Sequence, residues 1–74
     1  MKRIEANDLM ELRWEEMRGD ARRRWPELSD NELSVIDGHK DMLVGTLQEH
    51  YWVSREEAQR QAADFEREWS ERSA

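Results

Sequence analysis

Seventy-four residues leave room for one domain, and only a dense core can hold so short a chain together. Apolar residues make up 36% and charged residues 41%, a balance that would favour disorder without the four Trp, one Tyr and one Phe set at helical spacing. There is no cysteine for a disulfide, and apolar runs no longer than Tyr51-Trp52-Val53 exclude a spanning helix or an apolar signal core, which points to a soluble, cytoplasmic protein.

A first helix is predicted over about residues 8–24, capped by Asn7 or Asp8. Met10, Trp14, Met17, Ala21 and Trp25 recur at spacings of four, three, four and four, one stripe of a 3.6-residue helix. Pro26 ends it, because the residue before a proline is pushed from helical angles. Ser29-Asp30-Asn31-Glu32 reads as a capping box opening a short second helix through Leu33, Val35 and Ile36. Asp37-Gly38 closes that helix, glycine suiting the left-handed angle at a helix C-terminus. A third helix covers about residues 40–51 and presents Leu43, Val44, Leu47 and Tyr51. Ser54 caps a long, charged fourth helix continuing towards Glu71, with Ala58, Ala62, Phe65 and Trp69 as its stripe. Phe65 and Trp69 can be read as core or as a surface awaiting a partner.

Two stretches carry the same pattern. Gly19 is followed six residues later by Trp25 and then by Ser29-x-x-Glu32; Gly45 is followed six residues later by Tyr51 and then by Ser54-x-x-Glu57. This reads as one helical hairpin made twice. A glycine inside a helix costs about 1 kcal/mol relative to alanine, so Gly19 and Gly45 are expected where another backbone passes close by. On that reading Gly45→Leu would force two helices apart. The expected architecture is all-α: a compact four-helix domain of two packed hairpins, filling residues 1–74 with an ordered core over about 8–70.

Chemistry is sparse. His39 and His50 lie eleven residues apart with no nucleophile or paired acid beside them, and neither reads as catalytic. No zinc spacing, twelve-residue calcium loop or phosphate-cradling loop is present. No catalytic, cofactor or metal residue is assigned. Residues 1–28 hold seven basic and seven acidic side chains, and residues 29–74 five against eleven, so the net charge of −6 sits in the second part. Arg22, Arg23 and Arg24 form the one local basic run. It reads as a last helical turn offsetting the helix dipole, or as a contact for phosphate or an acidic partner.

With these residues assembled, the chain resembles the CsbD-like family of small bacterial stress-response proteins. The resemblance runs through Trp14-x4-Gly19-x5-Trp25-x2-Leu28-Ser29-Asp30. It continues through Ile36-x-Gly38-x2-Asp41-x-Leu43-Val44-Gly45-x-Leu47-Gln48-Glu49-x-Tyr51, then Ser54, Ala58 and Asp64-Phe65. It spans about residues 9–69. Pro26 and Trp52 depart from it, standing where the family usually has a glycine after the aromatic. The resemblance implies a SAM-domain-like pair of hairpins and abundance under general stress, with no established enzymatic activity or ligand.

The expected function is therefore a non-enzymatic stress-response protein acting as a small binding or protective module. Two alternatives stand beside it: contact with nucleic acid through the hairpin turns, which the acidic residues after Ser29 and Ser54 disfavour, and a protein–protein adaptor, as a monomer or weak homodimer. The candidate interaction surface is Trp52, Trp69, Arg22, Arg23 and Arg24.

Overall fold

In the computed structural model the described residues, 6–73, form five helices rather than four: α1 (Ala6–Leu12), α2 (Trp14–Arg24), α3 (Asp30–Ile36), α4 (Lys40–Tyr51) and α5 (Arg55–Ser73). The extra helix arises because the expected first helix breaks at Arg13, where φ is −119° and ψ 21°. The break is one residue wide. The Arg13 N–H still donates to the Leu9 carbonyl and the Arg13 carbonyl accepts from Met17, both at 2.9 Å. Neither glycine nor proline marks the spot. The stripe survives it, since Met10, Trp14, Met17, Ala21 and Trp25 are all buried. Asn7 and Asp8 lie inside α1 instead of capping it.

The chain stops and starts elsewhere as its capping chemistry dictates. Trp25, before Pro26, leaves helical angles at φ −128° and ψ 78°. Ser29 Oγ accepts from the Glu32 amide at 3.2 Å while Glu32 Oε1 accepts from the Ser29 amide at 3.0 Å, the reciprocal pair of a capping box. Asp37 and Gly38 both turn left-handed, at φ 49° and 82°. Ser54 Oγ caps α5 by accepting from the Glu57 amide at 3.0 Å. The two repeats are thus alike locally, each a helix, an aromatic at its end and a serine-capped helix.

Their glycines, however, do not do what their spacing suggests. Gly19 and Gly45 face solvent, and a Cβ on either would meet nothing within 4 Å. The close passage falls at Gly38, where a Cβ would lie 2.7 Å from both the Glu11 Cα and the Met10 carbonyl oxygen. The turn after α3 is therefore the seat of α1. From there α1 reaches across to α5, which also packs along α4.

Trp14, Trp25, Leu28, Leu33, Ile36, Leu43, Leu47 and Phe65 fill the centre, with Ala58 and Ala62 admitting α5 closely. The Trp25 and Phe65 rings meet edge to face at 5.2 Å between centroids. Trp14 Nε1 donates to the Leu33 carbonyl at 2.8 Å, tying α2 to α3. Tyr51 Oη accepts from the Glu27 amide at 3.0 Å, so the second repeat's aromatic pins the first repeat's turn. Glu66 is also buried, at 1% exposure. Lys40 Nζ lies 3.1 Å from its Oε1, close enough to neutralise charge but off the hydrogen-bond direction, so both carboxylate oxygens lack a donor. The radius of gyration is 11.7 Å, near the roughly 11 Å of a globular domain this long.

Candidate interaction surface

α2 ends in three consecutive arginines, and successive helical residues point about 100° apart. The run therefore splays. Arg22 turns towards α3, its Nη1 donating to Asp30 at 2.6 Å. Arg23 folds back along α2 to Asp20, 3.3 Å away. Arg24 crosses to α5 and donates to Glu68 at 2.7 Å, which holds the Glu68 carboxyl below its ordinary value. All three cations are thus engaged within the chain, and the run is not one uniform basic patch.

Arg23 and Arg24 nevertheless share a depression with Trp69. With Asp20, Phe65, Glu68 and Arg72 they line this space, about 240 Å³ between the C-terminal ends of α2 and α5. Arg72 donates to Asp20 at 2.8 Å, so Asp20 is shared by two guanidiniums. The Trp69 ring carries two cation contacts, from Arg72 at 5.2 Å and Arg13 at 5.9 Å to its centroid. Trp69 is partly buried against the core, and its indole Nε1 is buried without a hydrogen-bond acceptor.

Trp52 belongs to a different place. It follows α4 at φ 56° and is 90% exposed, while Trp69 sits 14 residues along α5 from Arg55, about 20 Å by helical rise. The structure brings Trp69 together with Arg23 and Arg24 and leaves Trp52 and Arg22 apart from them. Asp20, Glu68 and Arg72 were not foreseen at this spot. Glu68, Trp69 and Arg72 share a helical face by spacing, but nothing in the sequence shows that the end of α2 would meet them.

A second polar cluster lies where the two turns approach α5. Trp25 Nε1 donates to Gln61 Oε1 at 3.0 Å, and Gln61 Nε2 donates to Glu57 Oε2 at 2.9 Å. Arg60 grips both Glu57 oxygens, at 3.1 and 2.5 Å. That hydrogen bonding, from Arg60 first and then Gln61, lowers the Glu57 carboxyl from its ordinary value. The cluster fixes Trp25 against α5. His50 Nε2 stands 2.5 Å from Glu32 Oε2, and His39 Nδ1 3.3 Å from Glu11. Each histidine has a carboxylate partner. Among the described residues no group of three or more His, Asp or Glu could hold a metal ion, and no helix is long and apolar enough to cross a membrane.

No family model matches the chain, and no solved structure matches it. Its sequence is similar to bacterial proteins named UPF0337. One from Pseudomonas aeruginosa is 39% identical over 59 residues, covering 80% of this chain and 91% of the relative. One from Bordetella pertussis is 37% identical over 59 residues, covering 80% and 89%. The UPF0337 protein YjbJ of Escherichia coli K12 is 32% identical over 53 residues, covering 72% and 77%. These names state no activity, ligand or partner.

Proposed function

The chain belongs to the UPF0337 family, the CsbD-like proteins, and we propose that it is a non-enzymatic general stress-response protein, a small cytoplasmic binding or protective module. The observation that carries this reading is the charged shell. Arg22–Asp30, Arg24–Glu68 and Arg72–Asp20 join helix to helix across the surface, and Arg60–Glu57 adds a pair along α5. Exposed pairs of this kind add little stability each, about 0–1 kcal/mol. Their more telling consequence is a hydrated, net-acidic coat that keeps the small body dispersed at high concentration. A protein of that character can accumulate beside unfolding clients without aggregating itself. The direct trial is to heat lactate dehydrogenase with a molar excess of the protein. Reduced light scattering and retained dehydrogenase activity are expected. Scattering identical to that with an equal mass of lysozyme would remove the protective reading.

A second reading, a protein–protein adaptor, is favoured by Trp52. An indole 90% exposed on a turn at the end of α4 is a suitable anchor for a partner, Trp being enriched where interfaces concentrate their energy. Sedimentation velocity across a wide concentration range tests its homodimer form. The wild type should self-associate and the Trp52→Gly variant should not. A wild type monomeric throughout ends that version.

A further inference from the structure

We propose that the depression between the C-terminal ends of α2 and α5 binds a phosphate-class oxyanion, with the Arg24 and Arg72 guanidiniums as its donors. Three guanidiniums, Arg23, Arg24 and Arg72, line it against two carboxylates, Asp20 and Glu68. The Arg13 guanidinium over the adjoining Trp69 ring is paired with Glu16 at 2.7 Å and adds nothing to the count, so one positive charge is left over. This is a local surplus in a chain of net charge −6. The remaining acids repel a long polyanion, but at physiological salt their reach fades over about 8 Å. A small recessed anion therefore responds to the arginines around it.

The donors have capacity. Arg23, Arg24 and Arg72 each engage a carboxylate through Nη1, and a guanidinium carries five N–H donors in a planar fork that fits phosphate oxygens. The ion pairs hold the arginines in place without exhausting them. Trp69 Nε1 is a buried donor with no acceptor, so the indole beside these arginines reports any rearrangement that an anion causes there. Arg72, whose side chain is 61% exposed, is the part of the rim able to swing aside and close over a ligand. The depression, about 240 Å³, has room for a tetrahedral oxyanion, and a group attached to it would project outwards.

The test is a ¹⁵N NMR titration of the full chain, following indole and arginine side-chain N–H signals, with the Trp69 signal assigned by its loss in Trp69→Phe. Sodium phosphate and adenosine 5′-monophosphate are the probes, and sodium chloride at matched ionic strength is the control. A saturable shift of the Trp69 indole and the Arg72 Nε–H is expected, and Arg72→Gln should weaken it about tenfold while the other three indole signals stay in place. Saturation by inorganic phosphate alone identifies the free ion as ligand; equal or tighter saturation by the nucleotide identifies a phosphoryl group on a larger molecule. A response no greater than that to chloride overturns the proposal. So does an affinity unchanged in both Arg72→Gln and Arg24→Gln.

Discussion

At Gly38 three constraints fall on one residue: a φ of 82°, the end of α3, and the α1 backbone 2.7 Å from any added Cβ. Gly38→Ala is accordingly expected to lower stability by more than about 2 kcal/mol, read from the midpoint of urea unfolding. Gly45→Ala should do the opposite and raise it by about 0.5–1 kcal/mol, because the site is helical, exposed and empty around the Cβ. The sequence alone suggests the reverse emphasis, since Gly19 and Gly45 repeat and Gly38 does not. Trp52 poses the complementary case. It holds φ 56°, which costs a side chain about 1–2 kcal/mol, while 90% exposure returns almost no packing. Trp52→Gly should therefore raise the melting temperature by about 4–8 °C. A lower melting temperature would mean that the indole packs in solution.

Among the elements, α3 is the shortest that the sequence marks clearly, and its N-terminus joins three groups. Glu32 accepts from the Ser29 amide and meets His50 from the end of α4. The Ser29 amide first, and then His50, lower the Glu32 carboxyl from its ordinary value. A depressed carboxyl contributes stability that is present above its unfolded-state value and lost as pH falls through the folded one. Glu32→Gln keeps a neutral acceptor at the cap, so wild type should exceed the variant near pH 6 and converge on it only as the pH falls below the ordinary carboxylate range. Equal differences in both pH ranges, measured by urea unfolding, would contradict this. Caps, turns and apolar stripes were legible because each depends on residues within four positions of one another. The break at Arg13 was not, since no local residue demands it. It follows from seating α1 on Gly38 and α5 while Trp14 reaches Leu33 on the other side.

Across the whole molecule, Lys40 at the start of α4 neutralises Glu66 deep on α5. Removing one partner leaves a buried charge uncompensated, while removing both is far milder. Lys40→Met should cost about 3 kcal/mol, and adding Glu66→Leu should recover most of it, so a double-mutant cycle by urea unfolding measures the coupling. Equal stability of the single and double variants would show that water reaches Glu66. Nothing at the sequence level singled out Glu66 from its many acidic neighbours, just as nothing separated Arg22 from Arg23 and Arg24. The amino-acid order by itself determined the helical class, the serine caps, the proline stop and which faces are apolar, because these arise from period and local hydrogen bonding. Only the tertiary structure decided which glycine lets a backbone pass, which arginines surround Trp69 and which carboxylate goes under. Those outcomes depend on where helices distant in the chain cross, and crossing is set by the summed packing of the core.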